Sequence, residues 1–408
     1  MNEAAEVSTS LISSPVGVLM VLAGVAAIFF YLEQVVKQKE QAGQIKFNIF
    51  NFFPPLLFIY ILPLIFSNTG VIPNDSPVYD FMSYAILPLF LVMLMLDVNV
   101  GGAIRVMGKG IFVMLFGTLG VMIGAPIAYA IVGGFLEPDT WKGFGTLAGS
   151  WIGGTGNMAA VAEGLKTPPS AFGLAALADN IVYIVWLPIM LGSKLLAKRF
   201  NKFTGVSKNR LAEMEKAAED IKRDKGRQAM RHVLYLLAVG FAATYLAGLL
   251  SENFPVVEPV LTASTWRILL VTTLALALSF TPAKNIPGSH EIAMALIYLF
   301  VANMGARAHV SEVLGQAPLF IVGAYIWVFI HGGFCLLGAK IFKVDVHSAA
   351  IASAANIGGA ASAPVVAAYH KESLVPVSIL MALIGYAIGT YAAFATAQFC
   401  YWVSTIYF

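Results

Sequence analysis

The sequence predicts an all-α polytopic membrane protein, with about ten transmembrane helices and two re-entrant hairpins in an inverted five-span repeat. Three observations carry that expectation. Hydrophobic residues fill 59% of 408 positions and charged residues only 12%, against about 25% charged in a soluble domain. No soluble core could bury so much apolar chain, so lipid must be part of the solvent. The apolar stretches are cut to span length, and two Gly-rich stretches interrupt them at matching places in the two halves.

In chain order, windows of about 19 residues mark spans near 11–32, 50–67, 78–97, 110–134 and 170–196. The second half repeats the pattern near 232–251, 264–282, 289–306, 317–341 and 374–402. The first ten residues contain no Lys or Arg, so the run from Leu11 to Tyr31 is expected to be a retained span, not a cleaved signal. Segments 143–163 and 347–369 are apolar too but rich in Gly, Ala, Ser and Asn, and these are the expected hairpins. The chain then divides into a first repeat (1–198), a basic linker (199–231) and a second repeat (232–408).

Charge supports this count. Twelve of the 25 Lys and Arg residues lie between Lys194 and Arg231. Such a cluster suits a cytoplasmic loop better than a nucleic-acid surface, because cytoplasmic loops collect basic residues. With five spans per half, both termini lie outside. Lys37, Lys39, Lys46, Arg105 and Lys109 then join the inner face, leaving only Lys142, Lys166, Arg267 and Arg307 outside. If the two Gly-rich segments crossed fully, Lys37, Lys39 and Lys46 would move outside, a poorer fit. Within the linker, Leu211, Met214, Ala218 and Ile221 recur at helical spacing. A surface amphipathic helix and a solvated tether are both open there.

The interruptions carry the candidate chemistry. Gly149-Ser150-Trp151-Ile152-Gly153-Gly154 aligns with Ala354-Ala355-Asn356-Ile357-Gly358-Gly359 at an offset of 205 residues. Unpaired backbone in hydrocarbon costs several kcal/mol per group, so a broken helix survives only inside protein or beside water. Its free N–H groups suit an anionic group, and its carbonyls with Ser, Thr and Asn oxygens suit Na⁺. Ser150, Gly153, Gly154, Thr155, Asn356, Gly358 and Gly359 are the candidate substrate-binding residues; Pro364 disrupts the helix after the second tip or suits the start of one. The competing reading is close helix packing through small residues.

Asp179 lies about ten residues into its span, roughly 15 Å deep. An intramembrane carboxylate is a functional-site hypothesis by default. It is a candidate to bind Na⁺ or carry a proton, with Asn157, Asn180 and Ser362 as ion-coupling partners and Asn157, Asp179 and Ser362 as the Na⁺ ligands. The alternative is a structural Asp bonded to hairpin backbone. Asp97 and Asn99 fall near a span end, where an interfacial role is equally open. His331 is either a relay or a packing histidine and is left out of the site. Arg307 is either an anion partner at the outer mouth or a helix-end anchor. Cys335 and Cys400 sit in apolar runs and are expected to pack, not to form a disulfide or metal site.

Enzyme motifs fail on context. Gly154-Thr155-Gly156-Asn157-Met158-Ala159 fits a dinucleotide fingerprint, but no strand precedes it. His290-Glu291 begins a zinc-protease motif, but Met294 stands where the second His is needed. An intramembrane aspartyl protease needs two facing Asp residues, and only Asp179 is deeply placed. No Walker A motif marks an ATP motor. The expectation is no enzyme and no cofactor beyond a coupling ion.

The stretch from Gly149 through Leu187, with Ile152-Gly153-Gly154-Thr155-Gly156-Asn157 and Ala178-Asp179-Asn180, resembles the bacterial YjcL-like membrane family (domain of unknown function 819). The later Asn356-Ile357-Gly358-Gly359 resembles it too, and the likeness covers nearly the whole chain. That family is similar to the sodium/glutamate symporters and 2-hydroxycarboxylate transporters, whose Gly-Gly hairpins match Gly153-Gly154 and Gly358-Gly359. The resemblance implies a ten-span inverted repeat with two re-entrant hairpins, a homodimer, and elevator-type alternating access in a bacterial inner membrane. No further substrate-binding residues match, so glutamate and citrate are not carried over. The expected function is secondary transport of a small organic anion or amino-acid-like solute, coupled to Na⁺ or H⁺. A cation/proton antiporter, a channel and a membrane receptor are the alternatives.

Overall fold

Prolines and short polar caps set where the helices begin. Pro15 opens α1 (Pro15–Gln41) behind the Ser14 hydroxyl, which accepts from the Gly17 amide at 3.2 Å. Proline also opens α2 (Pro55–Asn68) and α3 (Pro77–Leu96), where its missing N–H costs nothing. The computed structural model describes residues 10–45, 47–51, 53–96, 98, 108–207 and 227–408. Asp97, Asn99, Lys46, Arg105 and the linker positions Leu211, Met214, Ala218 and Ile221 lie outside them.

The remaining helices are α4 (Gly110–Val132), α5 (Thr140–Leu165), α6 (Pro169–Gly192), α7 (Ala197–Thr204) and α8 (Met230–Ser251). They continue with α9 (Ala263–Leu278), α10 (Ser289–Arg307), α11 (Val310–Phe342), α12 (Val346–Ile357), α13 (Gly359–His370) and α14 (Val375–Tyr407). Among the described residues no strand forms, and one isolated bridge pairs Val257 with Leu261. An all-helical chain is what lipid demands, because each helix satisfies its own backbone. Among the described residues, eight helical stretches are long and apolar enough to cross a membrane, and α2 and α9 are shorter apolar helices. The protein is therefore a multi-pass membrane protein.

The helices pack in two groups. One contains α1–α3 with α8–α10; the other contains α4–α6 with α11–α14. The pairings mirror each other across the halves: α2 lies on α10 as α9 lies on α3, and α6 lies on α11 as α14 lies on α4. The antiparallel pair α4 and α11 forms the spine of the second group. There the Trp327 indole donates to the Val121 carbonyl at 2.7 Å, and Phe112 stacks on Phe342. Trp327 fits because α4 carries glycine opposite it; a Cβ on Gly124 would lie 2.5 Å from its ring.

Both Gly-rich segments fold back on themselves. In α5 the break is at Gly154 (φ 74°, ψ −176°), a backbone state that L-residues rarely adopt. The Thr146 and Thr167 hydroxyls meet at 3.0 Å, although 21 residues of straight helix would hold them about 31 Å apart. The second turn falls between α12 and α13, at Gly358 and at Gly359 (φ 59°). Here the His347 and His370 Nδ1 atoms meet at 3.0 Å.

The two folds open at opposite ends of α11, which is about 50 Å long at 1.5 Å per residue. The first is tied to its N-terminal end, where Gln316 Oε1 accepts from the Thr140 hydroxyl and the Glu137 amide. The second starts just past its C-terminal end, where Asn201 of α7 accepts from the Val346 amide. The Phe408 ring, at the chain's end, packs on Tyr129 and Gly133 near the first fold's opening. The fold-back is checked by a cysteine pair, Thr146→Cys with Thr167→Cys, after Cys335 and Cys400 are replaced by alanine. Mild oxidation is expected to cross-link most of the protein; a pair that stays reduced under oxidant would rule out the hairpin.

Candidate functional site

The two turns meet. A Cβ built on Gly359 would lie 3.6 Å from Gly154 Cα, so the hairpin tips are in contact. Gly154, Thr155 and Gly358 remain partly exposed, while Gly153, Asn157 and Asn356 behind them are buried. A partly accessible polar strip therefore lies at the junction of two broken helices, where backbone groups are freed from their own ladders.

The first tip is seated on α14. A Cβ on Gly385 would lie 2.3 Å from the Ile152 carbonyl oxygen, and one on Gly389 would lie 2.2 Å from Asn157 Nδ2. These two glycines, four residues apart, form a notch that admits backbone. Asn157 donates from Nδ2 to the Tyr386 carbonyl at 2.9 Å. That bond fixes the amide and leaves Asn157 Oδ1 buried with no partner. Buried carbonyl-type oxygens are normally paired, so this one stands ready for a cation or a donor.

Asp179 holds the first arm to α6. Its Oδ2 accepts from Ser150 Oγ and its Oδ1 from Trp151 Nε1, both at 2.8 Å. Trp151 packs in turn on Trp327, ring centroids 4.5 Å apart, which links the carboxylate to the α4–α11 spine. Among the described residues no ion pair involves Asp179. The carboxylate thus binds hairpin side chains, where the sequence suggested hairpin backbone as the structural alternative. Asn180 donates to Ala176 within its own helix.

The second arm is pinned around His331. Trp186 Nε1 donates to Ser353 Oγ at 3.0 Å, so the Ser353 hydroxyl proton is free for His331 Nε2, also at 3.0 Å. His331 Nδ1 faces the Gly117 carbonyl at 2.9 Å. A carbonyl only accepts, so this network requires the Nδ1–H tautomer. Asn356 donates to Thr118 Oγ1 at 3.0 Å, and its Oδ1 is buried without a partner. Ser362 and the Tyr183 ring both crowd Gly358, where a Cβ would meet Ser362 Oγ at 2.7 Å.

The structure thus joins Ser150 to Asp179, Gly154 to Gly359, and Gly358 to Ser362. Among the described residues no hydrogen bond joins Asn157, Asp179 and Ser362 to one another; Asn157 is engaged with Tyr386, and Asp179 with Ser150 and Trp151. No cluster of three or more His, Cys, Asp or Glu that could hold a metal occurs among the described residues. Sequence reasoning missed the Gly385–Gly389 notch, although its Gly-x-x-x-Gly spacing is itself a packing signal. It also set aside His331 and overlooked Asn303, buried on α10 with both amide atoms unpartnered. A lone Asn inside an apolar span was the available clue.

Two substitutions test the Asp179 anchor. In Asp179→Asn the amide oxygen still accepts from Trp151 while its NH₂ donates to Ser150, so thermal stability in detergent is expected near wild type. Asp179→Leu strands both donors, at a cost of about 1–3 kcal/mol for each one left without an acceptor. Equal melting temperatures for the two variants would remove the anchoring role. For the notch, Gly389→Ala is expected to destabilise the fold, because its Cβ has no room beside the Gly153 backbone.

Comparison with known proteins also points to a membrane protein. Over 340 residues the chain is 26% identical to the uncharacterized membrane protein YjcL of Bacillus subtilis (strain 168), covering 80% of this chain and 85% of that protein. The model of the family described as protein of unknown function (DUF819) matches residues 19–402. That match runs from within α1 to within α14 and takes in both hairpins, and the chain belongs to the DUF819 family.

Proposed function

We propose that this protein is a secondary transporter that moves a small organic anion or amino-acid-like solute, coupled to Na⁺ or H⁺. The observation that carries the reading is the meeting of two glycine-tipped hairpins beside buried, unpartnered Asn157 and Asn356 amide oxygens. Broken helices facing each other give free N–H groups to an anion and free carbonyl-type oxygens to Na⁺. In this reading the hairpins are re-entrant and enter from opposite faces, and the mirrored pairings are those of an inverted repeat. The basic linker lies in the cytoplasm, and both termini lie outside the inner membrane. The α4–α6 and α11–α14 group moves as an elevator against the other group, within a homodimer. Asp179 supplies negative charge near the tips and couples ion occupancy to the hairpin through Ser150 and Trp151.

A second reading, a cation/proton antiporter without organic substrate, draws on the same partly exposed carboxylate. Proteoliposomes distinguish the two. Under an imposed Na⁺ or pH gradient, wild-type protein is expected to accumulate a labelled organic acid or amino acid, and Asn157→Ala is expected to lose most of that uptake. Asp179→Asn is expected to fold yet lose coupling. Wild-type coupled flux in Asp179→Asn would remove Asp179 from the ion path, and ²²Na⁺–H⁺ exchange with no solute uptake would favour the antiporter.

A further inference from the structure

A cavity of about 890 Å³ lies between the two helix groups, bounded by α3, α8, α9, α10 and the 162–169 segment that leads from the first hairpin into α6. Its volume falls in the range of small-molecule sites. Three basic residues line it: Lys166, Arg267 and Arg307. Three acidic residues line it as well, and they are not equivalent. Glu163 is buried and already holds the Lys166 ammonium. Asp80 and Glu252 are exposed. Among the described residues neither Arg267 nor Arg307 forms an ion pair with either.

Arg267 is held in place. Its guanidinium lies over the Tyr84 ring, 4.7 Å from the centroid. Its Nε is buried without a hydrogen-bond partner. Arg267 is half-buried; with its Nε buried and unpaired, its planar fork still has donors to give an oxyanion entering the cavity. We infer that this cavity is an anion site, in which Arg267 and Arg307 bind the carboxylate of a small organic acid. The same chemistry would accept a phosphate, free or on a lipid headgroup. The site is separate from the hairpin tips but joined to the hairpin base. On α9, within the turn before Arg267, the Thr265 hydroxyl is shared between the Val260 carbonyl and the Gly164 carbonyl, the latter at 3.0 Å, and the Ser264 hydroxyl donates to the Glu163 carbonyl at 3.3 Å. An anion bound here sits at the joint between the hairpin and the opposing helix group. Its role as a capture step ahead of the tips rests on the transport reading; the binding itself does not.

The test uses full-length protein, purified in detergent without anionic lipid, titrated by thermal shift with acetate, succinate, tricarballylate and inorganic phosphate. The neutral amides of the three acids are the controls. At least one acid is expected to stabilise the wild type while its amide does not. Arg267→Gln and Arg307→Gln are each expected to weaken that binding by about tenfold or more, the scale of a lost charged hydrogen bond. Arg267→Lys keeps the charge, loses the fork, and is expected to fall between. Melting temperatures without ligand show whether each variant is folded. Stabilisation by phosphatidylglycerol nanodiscs that depends on both arginines, without any response to soluble acids, would assign the same site to a lipid headgroup. No response to any of these probes, or responses equal in wild type and both Gln variants, would overturn the site. Acid binding without flux in proteoliposomes would count against transport alone, and flux indifferent to both arginines would count against the site alone.

Discussion

In hydrocarbon a backbone N–H or C=O that leaves its helix finds no water, and that single constraint organises this structure. Two helices break here, at Gly154 and at Gly358-Gly359. Each break exposes peptide groups that lipid could not tolerate. The fold answers by burying the breaks against each other and against protein. Gly385 and Gly389 remove side chains so that the Ile152 carbonyl and the Gly153 backbone can lie against α14. The Asn157 amide satisfies the Tyr386 carbonyl across that contact. Large residues crowd the surroundings while the centre stays small and polar, because backbone must approach backbone there.

The hairpins are held by different chemistry. The first arm is tied through a carboxylate whose two acceptor oxygens are both used, by Ser150 and Trp151. The second is tied through a neutral chain running from Trp186 through Ser353 and His331 to the Gly117 carbonyl. A carboxylate can change its hydrogen bonding when a cation or proton arrives. The neutral chain has every donor matched to an acceptor and gains nothing from a further proton. Of these two ties the carboxylate is the one whose hydrogen bonding changes with charge, and it belongs to the hairpin that borders the arginine-lined cavity.

Much of this was legible in the sequence, for identifiable reasons. Each of the ten expected spans overlies a described helix because hydropathy reads the lipid requirement directly, although only eight of the described helical stretches are long enough to cross. The start of α11 is an exception: Glu312 and Gln316 depress the window, yet Val310–Phe342 is one helix. The glycine tips were legible because breaks inside apolar sequence are rare and came in pairs. The partners of those tips were not. Nothing local in Gly385-Tyr386-Ala387-Ile388-Gly389 says which backbone it will meet, and nothing near Asp179 says that its acceptors serve an indole and a hydroxyl on the hairpin. From sequence Arg307 reads equally well as anchor or anion partner, and nothing local says that Arg267, forty residues earlier in the chain, lines the same cavity.

The placement of that cavity also bears on how the two helix groups could move. If the groups slide past one another, hydrogen bonds that cross between them must exchange; besides Tyr60 on the Pro169 carbonyl and Thr273 on Tyr391, these include Ser264 and Thr265 on the Glu163 and Gly164 carbonyls at the hairpin base. The latter two are neutral hydrogen bonds at a helix start, each with a net worth of about 0.5–1.5 kcal/mol, weak enough to exchange. The two arginines lie on the α8–α10 side of the joint, so sliding carries the hairpin base past them while they stay with α9 and α10. An anion there would be held by one group and released by the other's motion. In the proposed cycle, charge recognition and hairpin displacement would be coupled through position alone, with no need for the arginines to reach the tips.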